Sequence, residues 1–191
     1  MHKDYLIKST TQYIFFFFLG AFLGYLWEVL LFYVQDGTFC NRGFLYGPWL
    51  PVYGVGAVLM LFMLRRFQKH PVKVFFLAAL LGSFVELFIG WFLAHVFHLR
   101  YWDYHGYPLQ LGGYICLYSA LGFGIAGVLW GCVFARIASH VWRKMPVPLQ
   151  RIFLTLLILA FLFDCAAALI FPNAGNNITF SLFQTYQPVT C

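Results

Sequence analysis

Three acids stand inside long apolar stretches of this 191-residue chain: Glu28, Glu86 and Asp164. An ionised carboxylate at membrane depth costs at least ~2.5 to 3.5 kcal/mol on insertion scales, so three together point to a site rather than to accident. Two resolutions stay open: the carboxyls are protonated, or they pair with Arg42 and Arg100, which lie just beyond the apolar stretches. The bland alternative is that each acid only ties helices together. Most of the other residues able to do chemistry gather near those two arginines. The first segment holds Asn41, Arg42 and Tyr46, and the second holds His98, Arg100, Tyr101, Trp102, Asp103, Tyr104 and His105. Aromatic residues there are expected as an interfacial belt, whereas the charged residues among them carry more meaning. Asp103 with His98 or His105 offers acid–base chemistry, and with Glu86 it offers metal ligands. No H-x-x-x-H or H-E-x-x-H spacing exists, so no metal site is expected. His95 is read as hydrogen-bonded inside a helix bundle.

These residues must be positioned by membrane helices. The chain is 62% hydrophobic and 9% charged, which excludes an ordinary soluble enzyme. The net charge of +6 is not clustered as a nucleic-acid face would require, because the cations sit between apolar runs. Spans are expected at Tyr13–Val34, Leu50–Leu64, Val74–Val96, Tyr114–Ala135 and Ile152–Phe171. The second is short and opens at Pro48 and Pro51, so a re-entrant approach followed by a helix fits it. Ten of the twelve Lys and Arg fall on one side of this arrangement, with Arg42 and Arg100 on the other. The positive-inside rule then places the N-terminus in the cytoplasm and the C-terminal tail outside. At 1.5 Å per residue the three acids lie on the order of 9 to 16 Å from the outer interface. Small residues flank each of them at helical spacing: Gly20 and Gly24, Gly82 and Gly90, Ala160 and Ala168. Such faces let helices approach closely, so the acids are expected to point into the bundle.

The segment from Phe17 to Glu28 recurs 58 residues later as Phe75 to Glu86, with seven of twelve positions identical. Glu28 and Glu86 are the only two glutamates, and they fall in register. The same ungapped offset pairs Arg42 with Arg100 and Tyr46 with Tyr104. The expected fold is therefore an all-α integral membrane protein, a bundle of about five transmembrane helices with an internal parallel two-helix repeat. It forms one polytopic membrane domain, with repeat one at 13–66, repeat two at 72–136, a fifth span at 152–171 and an outer tail at 172–191. The glycines at 122, 124, 127 and 131 are read as close helix packing. Five scattered cysteines are expected as buried thiols, with a Cys40–Cys191 bridge open only if both lie outside the cell.

Glu28, the block Asn41-Arg42-Gly43-Phe44-Leu45-Tyr46-Gly47-Pro48, Pro51-Val52-Tyr53-Gly54-Val55-Gly56, Glu86, Trp102-Asp103-Tyr104 and Gly113-Tyr114-Ile115-Cys116-Leu117 together resemble the putative ABC-transporter type IV (CmpB-like) bacterial membrane family. The resemblance covers roughly residues 13–135. It departs at Tyr101 and His105, where the family has Trp and Ser, and at Tyr114, where the family has Arg. It implies an inner-membrane permease with an ATPase partner. The chain has no G-x-x-x-x-G-K-[ST] loop of its own, so ATP would be hydrolysed elsewhere.

Three functions follow as expectations. The first is a permease or solute-binding transport subunit whose cavity, open to the outside, takes a polar small molecule or lipid headgroup. Its binding residues would be Glu28, Asn41, Arg42, Tyr46, Glu86, Arg100, Trp102, Asp103, Tyr104 and Asp164. The second is an intramembrane enzyme acting on a lipid-linked or envelope substrate at the outer leaflet, for which the sequence has no G-x-S-x-G and assigns no catalytic residue. The third is a membrane scaffold. No cofactor is called for, and the bilayer is the first partner.

Overall fold

The computed structural model describes residues 10–37, 45–100, 102–171 and 180–181. Asn41, Arg42, Tyr101, both members of the Cys40–Cys191 pair and nearly all of the tail lie outside the described residues. The helices are α1 (Thr10–Asp36), α2 (Pro51–Leu64), α3 (Pro71–Val96), α4 (Leu117–Val128), α5 (Ala135–Lys144) and α6 (Val147–Ile170), with a π-helical segment at Leu129–Phe134 between α4 and α5. A two-residue strand, β1 (Leu99–Arg100), pairs antiparallel with β2 (Phe180–Ser181).

Four stretches are long and apolar enough to cross a membrane: Thr10–Val34, Pro71–Val96, Leu117–Lys144 and Val147–Ile170. Helices are what such sequences must form in lipid, where every backbone N–H and C=O needs an internal partner. The chain is an all-helical, multi-pass membrane protein. The fifth expected crossing, α2, has 14 residues. At about 21 Å it is shorter than the ~30 Å hydrocarbon core. Pro51 starts it, as a residue with no N–H to lose and a pre-set φ can.

The chain divides into two compact units. The first contains α1, most of α2, α5 and α6. Its core includes Phe16, Phe18, Ala21, Trp142, Leu154 and Ala168. Phe15 stacks on Trp142 with ring centroids 4.4 Å apart, and Gln12 donates to the Ser139 hydroxyl across 3.0 Å. The second contains α3, β1, α4 and β2. One face of α3 buries Val74, Ala78, Gly82, Gly90 and Ala94. The opposite face exposes Phe76, Leu80, Phe84 and Phe88 at four-residue spacing. In water such a stripe would be an aggregation surface; against acyl chains it is a matched one.

Candidate functional site

Each glutamate lies beside a glycine that an aromatic ring fills. In the first unit a Cβ on Gly24 would run into the Tyr53 ring, and one on Gly54 would meet Phe17. This close approach lets the Tyr53 hydroxyl donate to Glu28 Oε1 at 2.5 Å. In the second unit the same device appears with Gly82 against Phe123 and Gly124 against Phe75. Phe123 has no hydroxyl, so Glu86 is met instead by Tyr104, whose hydroxyl donates to Oε1 at 3.0 Å. Glu86 Oε2 and the Ser83 hydroxyl, one turn apart on α3, are buried without a well-formed hydrogen bond, although the Ser119 hydroxyl of α4 also faces the Glu86 carboxylate.

The packing corrects the ungapped alignment. Gly24 and Gly82 are 58 residues apart, but the aromatics that fill them, Tyr53 and Phe123, are 70 apart. The connection before the second helix of the pair is therefore twelve residues longer in the second unit. Tyr46 and Tyr104 accordingly do different work. Tyr104 reaches Glu86, while the Tyr46 hydroxyl donates to the Phe171 carbonyl at 2.7 Å.

Arg100 does not pair with Glu86. It folds back onto its own loop, donating to the carbonyls of Trp102 (3.2 Å) and Gly112 (2.8 Å), lying 3.3 Å from Asp103 Oδ1, and covering the Tyr114 ring at 5.1 Å. Asp103 is joined by His105, not His98: the His105 backbone N–H donates to Oδ1 at 2.9 Å and its Nδ1 lies 2.5 Å away. Burial raises the Asp103 pKa, but the His105 bonds and the Arg100 charge outweigh that and hold it below the usual carboxylate value. The cluster closes around Gly113, whose φ of +71° suits glycine and whose missing Cβ would strike Arg100, His105 and Asp103. Trp102 is a strut, its Nε1 donating to the Tyr114 carbonyl at 2.8 Å while both rings pack over Gly90. These groups are occupied in shaping the loop, which weighs against the acid–base reading of Asp103 and His105.

Asp164 accepts from three donors. It is 8% exposed on α6. Its Oδ1 accepts from the Tyr46 backbone N–H at 3.0 Å, and its Oδ2 accepts from Gly47 N–H at 2.9 Å and Trp49 Nε1 at 2.7 Å. Residues 45–50 are non-helical. Asp164 supplies the acceptors that a helix would otherwise have provided, and Leu50 N–H completes the set on the Ala21 carbonyl at 3.1 Å. This is the irregular approach to α2 that the two prolines suggested.

Other expectations need adjustment. Ala160 is exposed, and so does not line a close contact, although Ala168 is fully buried. Gly124 fits the close-packing reading, with Phe75 where a Cβ would sit; Gly127 and Gly131 are buried, though nothing stands where a Cβ on Gly131 would sit, and Gly122 faces open space. His95 is exposed and bonds the Trp91 carbonyl of its own helix at 2.9 Å. A pocket of about 310 Å³ in the first unit is lined by Leu45, Trp49, Leu50, Pro51, Cys165 and Leu169, and none of the expected binding residues lines it. Tyr53 was the residue that sequence reasoning missed. Its signal is the match of Tyr53-Gly54-Val55 to Phe123-Gly124-Ile125, visible once a gap is allowed.

Comparison with known proteins adds one finding. The profile of a family described as "Putative ABC-transporter type IV" matches residues 15–169, reaching past the stretch of resemblance at 13–135 to take in α6 and Asp164. No curated protein and no solved structure matches the chain.

Proposed function

The chain belongs to the putative ABC-transporter type IV family, and from that premise we propose that it is the membrane-embedded subunit of a transport system in a bacterial inner membrane. The N-terminus is cytoplasmic in this reading, as the distribution of Lys and Arg favours. An ATPase partner supplies the hydrolysis for which the chain has no phosphate loop. The solute is polar or cationic and arrives from the outer side, and Glu86 is the residue that meets it.

The observation that supports Glu86 in this role is the pair of buried oxygens without a well-formed hydrogen bond, Glu86 Oε2 and Ser83 Oγ, on one face of α3. Buried polar atoms are almost always hydrogen-bonded, so two neighbouring exceptions leave capacity for an incoming donor. Tyr104 holds the other carboxylate oxygen and fixes its direction. Glu28, with Tyr53 on Oε1, and Asp164, with three donors, serve in this reading to set the helices rather than to touch the solute.

The test is purification in mild detergent from native membranes, with mass spectrometry of every retained protein and small molecule. A stoichiometric ATPase with wild type and Glu86→Gln alike, together with a small molecule that Glu86→Gln loses, is the expected result. Retention of no ATPase, with identical small molecules in both preparations, would overturn the proposal.

A further inference from the structure

The end of the molecule built by α5 and the start of α6 has a separate surface. The apolar span Leu117–Lys144 has 28 residues. At about 42 Å it is longer than the ~30 Å hydrocarbon core, and its charged end, at Arg143 and Lys144, is the end suited to lipid headgroups. There the helix changes character. Ala135, Ser139 and Trp142 are buried on one side of α5. Arg136, His140, Arg143 and Lys144 share a second, exposed side at three- and four-residue spacing, and Ile137 and Val141 are exposed on a third. The cations thus lie between the face turned to the protein and a face fit for acyl chains.

The surface is held in place from within. Gln12 bonds Ser139 and Phe15 stacks on Trp142, which fix the rotation of α5. Gln150 Nε2 donates to the carbonyls of Trp142 (2.9 Å) and Met145 (3.0 Å), adding a second donor to the Trp142 carbonyl that the Met145 N–H already caps. That bond closes the corner between the two helices and brings exposed Arg151 to the same end. No Asp or Glu occurs anywhere from residue 104 to residue 163. For Arg143, Lys144 and Arg151, the segment that builds the patch therefore supplies no carboxylate.

We infer that α5 and the α5–α6 corner form a binding site for an anionic phospholipid headgroup, with Arg143, Lys144 and Arg151 on the phosphate and Ile137 and Val141 against the acyl chains. Interleaved cations and exposed apolar side chains fit a lipid of that kind better than a water-soluble acidic protein, which would leave the apolar residues unmatched. The site is independent of the transport reading, since it uses neither Glu86 nor the outer loop.

The experiment is native mass spectrometry of the full chain in detergent, titrated with phosphatidylglycerol or with phosphatidylcholine. Wild type should retain phosphatidylglycerol selectively, and Arg143→Gln with Lys144→Gln should weaken that retention by about fivefold for each cation removed. Lys69→Gln with Lys73→Gln, which removes equal charge from another exposed segment, should leave it nearly unchanged. Arg143→Lys should also bind as wild type does, which guards against reading a folding defect as lost binding. Equal retention of the two lipids, equal losses in the two double variants, or an acidic protein held by α5 in place of lipid would each overturn the inference.

Discussion

The pair α1–α2 and the pair α3–α4 use one packing device and differ in how the second helix is started. In both, a glycine on the first helix receives an aromatic ring from the second, and a glycine on the second receives a phenylalanine from the first. Both place a glutamate under a tyrosine hydroxyl. The start of α4, however, is capped by its own sequence: Cys116 accepts from Ser119 N–H, and the Ser119 hydroxyl takes the Cys116 N–H in return. The approach to α2 has no such residues, and its N–H groups are taken by Asp164 from another helix. Where local sequence supplies the cap, the helix pair is self-sufficient; where it does not, a distant acid becomes structural. This gives α6 a reason to be present in a chain whose other helices pair off.

That contrast makes the largest prediction. Asp164→Leu leaves three part-buried donors without their acceptor, and should cost about 3 kcal/mol. The measurement is the thermal unfolding midpoint in detergent, and an unchanged midpoint would break the comparison at its main point. Asp164→Asn, which keeps an acceptor oxygen but not the charge, should fall between. On the other side, Ser119→Ala removes a local cap, together with a hydroxyl that also faces Glu86, and should cost about 1 kcal/mol.

The shared device can be tested next. Gly24→Ala and Gly82→Ala each force a methyl into an aromatic ring, which should cost about 1 to 3 kcal/mol apiece. If the two pairs pack by the same rule the two losses should be similar, and trimming the opposing ring should recover part of each: Tyr53→Leu for the first, Phe123→Leu for the second. Gly122→Ala, where the space is open, should be neutral or slightly stabilising. A large loss at Gly122 with none at Gly24 would show that the contacts are not what hold the helices.

Much of this was legible in the sequence because lipid simplifies the code. Long apolar runs can only be helices, and an acid inside one stands out, so four spans, the short α2 and all three acids were visible without coordinates. The partners of those acids were not. Asp164 is held largely by backbone N–H groups, which every residue but proline carries and which leave no mark on the sequence. Pairing with Arg100 was one of the two resolutions left open for Glu86, because Arg42 and Arg100 are the arginines expected on the outer side. Arg100 turns the other way because Gly112 and Gly113, both at positive φ, fold the loop back and present a carbonyl to it. Tyr53 was hidden by the alignment itself: without a twelve-residue gap it faces Leu111, and the relation to Phe123 disappears.

The longer connection of the second pair gives the smallest effect and the finest test. Its loop is shaped by the Asp103 carboxylate between His105 and Arg100. Since folding lowers the Asp103 pKa, the charged form is favoured in the folded loop. The stabilisation is therefore complete above the ordinary carboxylate value of about 4 and fades as pH falls through the lowered one. Asp103 is 33% exposed, so the effect should be local rather than global. Hydrogen exchange at the Tyr104 N–H, which bonds the Gly113 carbonyl at 2.9 Å, should lose protection on acidification before the helices do. In Asp103→Asn that protection should already be weak at neutral pH and should no longer change with acid. Equal pH dependence in the variant and the wild type would mean that the loop is held by its glycines and tryptophan alone, and the two connections would then differ in length but not in kind.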